Sequence, residues 1–302
     1  MSRLFEALRR SEPETFGFDF ALPEPPVSEL LKAAEVETLK PTEAEAPNSA
    51  ETQMPEFGQF PSLPVSLPPG SRLVSLSGRE ESSLGAEKFR FLAVRLRQIR
   101  RGRDFKKLLI TSTIPGEGKS TVSANLAVAL AHRKKQTILL VDGDLRRPVL
   151  AQEFGLGDQA GLSECLRGEP RPITNIYRLE TAGLWFLPAG RPPENPLDLM
   201  QSGRLSDLLD QLTTRFDWIV IDSPPVLPLA DTSVWTRFVD GVLLVAREGT
   251  TEKRQLQRGL EALDQSKLLG MVLNSCTDGD HSSYYQRYSS VAPPPQDKVK
   301  AD

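Results

Sequence analysis

The sequence has few of the features that mark secreted, metal-binding or membrane-spanning proteins. Only two cysteines, Cys165 and Cys276, occur among its 302 residues, and their separation is not a metal-ligand spacing. No apolar run approaches the ~18 residues of a membrane span, and no apolar stretch of signal-peptide type follows the first residues. We therefore expect a reduced, cytoplasmic protein.

An excess of either charge is also absent. The chain has 37 Lys and Arg against 40 Asp and Glu, for a net charge of -3. This near-neutral balance gives no support for bulk nucleic-acid binding. The length allows one α/β domain of roughly 200 residues with additional segments.

Composition divides the chain into four predicted regions. Residues 1–10 form a short amphipathic segment, which is either a docking helix or a frayed terminus. Residues 11–78 are rich in proline and glutamate and cannot bury enough apolar surface to offset ordering entropy, so a disordered linker is predicted. The folded domain is predicted over 79–278, and a flexible tail over 279–302.

From residue 106 onward, strand and helix patterns alternate. This alternation predicts an α/β fold with a mostly parallel sheet and helices on both faces. Strands are predicted near 107–112, 137–142, 184–188, 217–222, 241–246 and 269–274. Helices are predicted near 82–101, 119–133, 148–154, 161–167, 197–214 (with a break at Gly203), 228–236 and 252–265.

A glycine-rich turn joins the first apolar strand to the following helix, and it ends in Gly-Lys-Ser-Thr. A strand, a Gly-x-Gly-Lys-Ser turn and a helix form the context of a phosphate-binding P-loop, whereas the alternative is a plain glycine turn. Lys119 would reach the β- and γ-phosphates, and the Ser120 hydroxyl would coordinate Mg²⁺. The strict pattern has glycine where Thr113 stands, which is acceptable if that residue keeps a β conformation. The predicted nucleotide-binding residues here are Pro115, Gly116, Glu117, Gly118, Lys119, Ser120 and Thr121.

Two further apolar strands end in acidic residues at the same predicted edge of the sheet. Asp142, Asp144 and Arg146 alternate, so an extended chain would direct them to one side. One carboxylate can direct Mg²⁺, one can accept a proton, and the arginine can balance phosphate charge. Asp222 fits a Walker B acid. The predicted catalytic residues are thus Lys119, Asp142, Asp144 and Arg146, and the predicted metal-holding residues are Ser120, Asp142 and Asp222. For the strand that ends at Asp142, the alternative is a solvated strand end.

Three other features have two interpretations each. Asn274 ends the last predicted strand and either contacts an adenine edge or forms a turn. Asp231 is predicted to cap a helix or to support another site residue. Tyr284, Tyr285 and Tyr288 are either a chance cluster in a mobile tail or phosphate acceptors.

Taken together, these motifs resemble those of the bacterial tyrosine kinases that control capsule and exopolysaccharide chain length. The resemblance covers roughly residues 80 to 290. It rests on the tyrosine-bearing tail and on Pro-Gly-Glu-Gly-Lys-Ser-Thr (115–121), Val-Asp-Gly-Asp-Leu-Arg-Arg-Pro (141–148), Leu-Pro-Ala-Gly-Arg-Pro-Pro-Glu-Asn-Pro (187–196) and Val-Ile-Asp-Ser-Pro-Pro (220–225). It implies a P-loop NTPase that uses ATP and Mg²⁺ to phosphorylate its own tail tyrosines in trans within a ring of subunits.

The resemblance also implies partners and a location. A membrane-embedded polysaccharide co-polymerase would activate the kinase and hold it on the cytoplasmic side of the inner membrane, so membrane contact would be indirect. The family's subunit contact is a Glu-x-x-Arg-x-x-Arg helix, in which Glu87 and Arg90 match and Ala93 replaces the last arginine. The alternatives are a regulatory or positioning ATPase, whose signature lysine would stand where this chain has Ile114, and a non-catalytic adaptor.

Overall fold

The computed structural model describes five stretches of the chain, namely residues 60–76, 84–132, 136–168, 175–227 and 229–275. The predictions for residues 1–10 and for the tail 279–302 lie outside the described residues. Within the described stretches, no helix has the length and apolar character needed to cross a bilayer.

An eight-stranded sheet forms the centre of the fold. In chain order the strands are β1 Ser62–Leu63, β2 Lys107–Ser112, β3 Ile138–Asp142, β4 Tyr177–Leu179, β5 Leu184–Leu187, β6 Trp218–Asp222, β7 Gly241–Arg247 and β8 Leu268–Asn274. Their spatial order is β1-β4-β5-β3-β6-β2-β7-β8. Every neighbouring pair is parallel except β4 with β5.

Eight helices accompany these strands in the described part of the chain. They are α1 Leu84–Gly102, α2 Lys119–Ala131, α3 Leu150–Glu153, α4 Leu162–Arg167, α5 Pro196–Met200, α6 Arg204–Arg215, α7 Asp231–Phe238 and α8 Lys253–Glu261. Two apolar cores lie on opposite faces of the sheet, because alternate residues of each strand join different cores. In β2, for example, Leu109 belongs to one core, whereas Leu108 and Ile110 belong to the other.

The crossovers bring the carboxyl ends of three strands together. The chain leaves β2, passes through α2 and enters β3, and β6 lies between these two strands. In the register of the sheet, Asp222 of β6 pairs with Ile110 of β2 on one side and with Asp142 of β3 on the other. Ligands of open α/β sheets bind at such a topological switch point, so this order positions the candidate site.

The structure confirms the six predicted strands within one residue at each end and adds two that were missed. β1 and β4 have two and three residues, which is too short for a recognisable hydrophobic period. The predicted helix 197–214 is broken at Gly203, which has φ 81°. Residues 60–76, inside the predicted linker range 11–78, contribute β1 and the buried side chains of Phe60 and Leu73, so the packed domain begins before residue 79.

Candidate active site

The turn between β2 and α2 has the backbone that a phosphate-binding loop requires. Gly116 and Gly118 have φ values of 86° and 89°, which side chains other than glycine rarely adopt. Thr113 does not have a positive φ, so its backbone does not need glycine. The helix begins at Lys119, and its first amides point outward at the positive end of the helix dipole. The loop can therefore bind an anion such as a polyphosphate.

Lys119 lies among the acidic groups that end β3 and β6. Its Nζ is 2.9 Å from Asp144 Oδ2 and 3.7 Å from Asp222 Oδ2, and it donates to Ser120 Oγ at 3.2 Å. Burial alone would lower the pKa of Lys119, but the charges of Asp222 and Asp144 outweigh it and raise the pKa. The ammonium group is thus a permanent positive charge at the phosphate-binding turn.

Asp142 is completely buried beside this cluster. Its two carboxylate oxygens accept hydrogen bonds from the backbone amides of Asp144, at 3.4 Å, and Leu150, at 3.2 Å. Burial, followed by the nearby charge of Asp222, raises the pKa of Asp142 well above its ordinary value. Burial likewise raises the pKa of Asp222. Two adjacent buried carboxyl groups of this kind bind either a proton or a cation.

The arrangement of oxygen atoms fits Mg²⁺. Asp222 Oδ2 is buried and accepts no hydrogen bond from the described residues, while Asp222 Oδ1 accepts from the Ser123 hydroxyl at 3.1 Å. The Oδ2 atom lies 3.7 Å from Lys119 Nζ and suits a hard cation or a water of its shell. Among the described residues no group of three His, Cys, Asp or Glu side chains forms a complete metal site. Phosphate oxygens and waters would complete the shell, as is usual for Mg²⁺.

Arg146 is held by an acid from another element. Its Nε and Nη2 donate to the two carboxylate oxygens of Asp231 at 2.7 and 3.0 Å, and this hydrogen bond raises the pKa of Arg146. Asp231 is buried in the first turn of α7 and supports the guanidinium group, which is the second of its two predicted roles. Arg146 is therefore partly neutralised, and its contact with phosphate stays a prediction.

Asn274 lies against the P-loop. Its Nδ2 donates to the Glu117 carbonyl at 2.9 Å, and a Cβ atom added to Gly118 would be only 2.1 Å from that nitrogen. Gly118 is thus required both by its backbone conformation and by the side chain packed on it. The amide joins the end of β8 to the phosphate-binding turn, and its contact with an adenine stays a prediction.

Glu117 has a role that the sequence did not indicate. Its buried carboxylate accepts hydrogen bonds from the Ile114 amide, at 2.9 Å, and from the Thr251 hydroxyl. Thr251 Oγ1 also lies 2.8 Å from the Arg247 amide nitrogen, from which it accepts a hydrogen bond. Glu117 therefore links the phosphate-binding turn to the loop after β7. Nothing in the local sequence pattern identifies Thr251 as its partner.

A cavity of about 600 Å³ opens beside Asp142. One wall is the segment 188–192, which belongs to the Leu-Pro-Ala-Gly-Arg motif, and the other is formed by residues between 148 and 159. The sequence predicted neither the cavity nor its walls, because these segments meet only in the folded chain. The three tyrosines, Tyr284, Tyr285 and Tyr288, lie outside the described residues.

The predicted subunit-contact residues lie on α1. Arg90 Nη1 and Glu87 form an ion pair one turn apart. Ala93, which replaces the last arginine of the Glu-x-x-Arg-x-x-Arg pattern, is completely buried in the core. This position of α1 therefore faces the domain's own interior.

Comparisons with known proteins found a matching family model, similar sequences and a similar solved structure. Residues 105–283 match the sequence model of the ParA family, described as NUBPL iron-transfer P-loop NTPase. The tyrosine-protein kinase YwqD of Bacillus subtilis is 35% identical over 207 residues, which are 68% of this chain and 87% of that protein. The putative tyrosine-protein kinase CapB of Staphylococcus aureus is 34% identical over 205 residues, or 67% of this chain and 90% of that protein. The crystal structure of the chimerical protein CapA2B2 superposes with a TM-score of 0.64 at 32% identity, covering 72% of this chain and 96% of the other.

Proposed function

The chain belongs to the bacterial tyrosine kinases, and from that premise we propose that it phosphorylates the tyrosines of its own C-terminal tail, between subunits, within a system that makes capsule or exopolysaccharide and controls its chain length. The observation that carries the proposal is the position of Lys119 between Asp144 and Asp222, with Asp142 next to a cavity. Phosphoryl transfer uses a fixed cation, a bound metal ion and a residue that accepts the nucleophile's proton, all close to one phosphate.

The proposed reaction assigns one task to each group. The amides of residues 116–121 and Lys119 bind the β- and γ-phosphates of ATP, and Ser120 and Asp222 would hold Mg²⁺, which supplies charge neutralisation. The tyrosine oxygen bonds to the γ-phosphorus while the bond to the β–γ bridging oxygen breaks and ADP leaves with the electron pair. Asp142 accepts the hydroxyl proton, since its raised pKa gives it more affinity for a proton than an ordinary carboxylate has.

Transfer between subunits is proposed from the length of the tail. Tyr284 follows Asn274 by ten residues (284 − 274), which span at most roughly 35 Å. Four strand spacings of ~4.8 Å separate β8 from β3, so the tail is long enough to reach its own site but must bend sharply to do so. A neighbour's site needs no such bend. We expect the same kinase to be held at the membrane by a polysaccharide co-polymerase whose cytoplasmic end activates it.

The test mixes two subunits. One carries Lys119→Met with its tyrosines intact, and the other is active but has Phe at positions 284, 285 and 288. With ATP and Mg²⁺, mass spectrometry should find phosphotyrosine in the tail of the Lys119→Met subunit. The natural chain is assayed alone as a reference. If it labels itself at a rate independent of protein concentration while the Lys119→Met subunit stays unlabelled in the mixture, transfer between subunits is ruled out.

A regulatory ATPase without kinase activity is the second candidate, because the matching family model is that of ParA. Against it, Ile114 occupies the position of the signature lysine of the positioning ATPases. The backbone amide of Ile114 donates to the Glu117 carboxylate. ATP hydrolysis without any phosphotyrosine, with and without the activating segment of a co-polymerase, would favour this alternative.

A further inference from the structure

The cavity beside Asp142 is separate in its lining from the phosphate-binding turn. None of the described residues of the phosphate-binding turn lines it. Its boundary includes Asp142, Pro148, Leu156, Asp158, Pro188 and Arg191. The buried carboxyl group of Asp142 is therefore shared by two spaces, the nucleotide site on one side and this cavity on the other.

The wall formed by residues 188–192 is held in place by a buried acid. Glu164 of α4 accepts hydrogen bonds from the amides of Gly161, at 2.7 Å, and Arg191, at 3.1 Å. Burial alone would raise the pKa of Glu164, but these amide hydrogen bonds outweigh it and lower the pKa. Gly190 has φ 79°, and a Cβ atom there would lie 2.0 Å from Glu164 Oε2. Contacts within the chain therefore fix the conformation of this wall.

The cavity changes in character from floor to mouth. Asp142 is buried at the floor, whereas the side walls include the rings of Pro148 and Pro188 and the side chain of Leu156. Arg191 and Asp158 are exposed, and within the described residues neither side chain forms an ion pair. A proton acceptor below apolar walls suits a phenol ring, and opposite charges at the rim suit a peptide that carries both signs.

We propose that Arg191 and Asp158, at the mouth of this cavity, select the tail by the charges on either side of the tyrosine that enters it. This inference rests on the proposed function. The tail has Asp280 before Tyr284 and Arg287 after Tyr285. Asp280 pairs with Arg191 and Arg287 pairs with Asp158, which fixes the direction of the bound chain. Tyr284 and Tyr285 are then better acceptors than the next tyrosine, which directly follows the arginine.

The experiment uses the two-subunit assay with full-length chains. Arg191→Glu in the active subunit should reduce the labelling of a Lys119→Met acceptor about tenfold or more, because it sets two like charges against each other. Asp280→Arg in the acceptor should restore labelling by the Arg191→Glu enzyme and reduce labelling by the unmodified enzyme. The matched control is Arg237→Glu, which makes the same charge change at an exposed position near the end of α7.

Each result separates this inference from the proposed function. If the unmodified enzyme forms no phosphotyrosine, the proposed function fails. If the unmodified enzyme labels only its own tail, Arg191→Glu and Asp280→Arg are combined in one chain, and the labelling of that chain is compared with each single variant. Equal labelling by the unmodified and Arg191→Glu enzymes would overturn this selection by charge and leave the proposed function in place. A loss that Asp280→Arg does not relieve, or that is matched by a loss of ADP affinity, would also overturn it.

Discussion

At the scale of single residues, the site is a set of buried charges that balance one another. Lys119 keeps its positive charge because two carboxylates lie within 4 Å of it. The pKa of Asp142 and the pKa of Asp222 are each raised, chiefly because both carboxyl groups are buried. Their surroundings differ, however, since Asp142 lines the cavity, whereas Asp222 Oδ2 lies 3.7 Å from Lys119 Nζ and accepts no hydrogen bond from the described residues. The two acids should therefore have separable tasks.

We expect Asp142→Asn to reduce turnover by about 10²- to 10⁴-fold, the usual contribution of a general base, with little change in affinity for ATP and Mg²⁺. Asp222→Asn should instead weaken the Mg²⁺-dependent part of nucleotide binding. Labelling rates and nucleotide titrations with and without Mg²⁺ separate the two effects, and Asp207→Asn on the exposed side of α6 is the control. The opposite pattern would exchange the two roles.

The pH dependence follows from the same group. Asp142 accepts a proton only when ionised, and burial with Asp222 raises its pKa. As the pH falls through that raised pKa, the proton-accepting form is lost, so turnover should decline at a higher pH than the ~4 of an ordinary aspartate. The measurement is the single-turnover labelling rate against pH at saturating ATP. An acid limb at or below pH 4 would show that Asp142 does not limit the rate.

Thr113 carries an unfavourable feature in the phosphate-binding turn. Its hydroxyl is buried and has no hydrogen-bond partner in the part of the chain that the structure describes, and the side chain packs next to Gly259 of α8. Thr113→Val keeps the shape and removes the unpaired oxygen, so we expect about 1 kcal/mol of added stability in denaturant unfolding. Thr113→Ser keeps the oxygen, loses the methyl group and should be less stable than the natural chain. A destabilised valine variant would mean that the hydroxyl is satisfied in solution.

At the scale of elements, residues 60–76 matter more than their composition suggests. β1 extends the sheet beside β4, and the Ser66 amide donates to the Phe154 carbonyl at 3.2 Å. Asn125 of α2 accepts from the Ser75 amide and donates to the Arg72 carbonyl, both at 3.0 Å. The segment is thus attached to the helix that starts at the phosphate-binding turn.

We compare two chains to test this attachment, one beginning at residue 60 and one at residue 77. The shorter chain exposes the sites filled by Phe60 and Leu73, each worth roughly 1.5–3 kcal/mol when fully buried. We therefore expect a lower melting temperature and weaker ADP binding. Asn125→Ala in the longer chain should reproduce part of the loss, because it leaves the Ser75 amide and the Arg72 carbonyl without their partner. Equal melting temperatures would show that the segment contributes nothing.

These elements also show which parts of the fold and of the site can be predicted from the sequence. β2, β3, β6 and β7 are apolar runs with glycine, lysine or acid at one end, so both the strand and its functional residue are local signals. Residues 60–76 contain four prolines and few long apolar runs, and only contacts with distant elements order them. The same limit applies to Thr251, Glu164 and the cavity, which depend on segments far apart in the chain.

At the scale of the whole molecule, the exposed side of α1 is the predicted contact between subunits. Phe91 is 70% exposed and Val94 is 47% exposed, and the Glu87–Arg90 pair lies on the same helix. Ala93 is buried and cannot contact a neighbour. The contact proposed for this chain therefore combines one ion pair with apolar side chains, where the family pattern has a second arginine.

Because this surface of α1 has one ion pair and few apolar side chains, we predict that the exposed ring of Phe91 controls the association of subunits. Phe91→Asp replaces an exposed ring with a charge, so the fold should keep its melting temperature while the subunits separate. Sedimentation should show a smaller particle, and tail labelling should slow most at low protein concentration, because transfer between subunits then requires a new encounter for each event. Gln211→Asp, on the exposed face of α6, introduces the same charge elsewhere and should change neither quantity. An unchanged particle size and labelling rate in Phe91→Asp would place the contact between subunits on another surface.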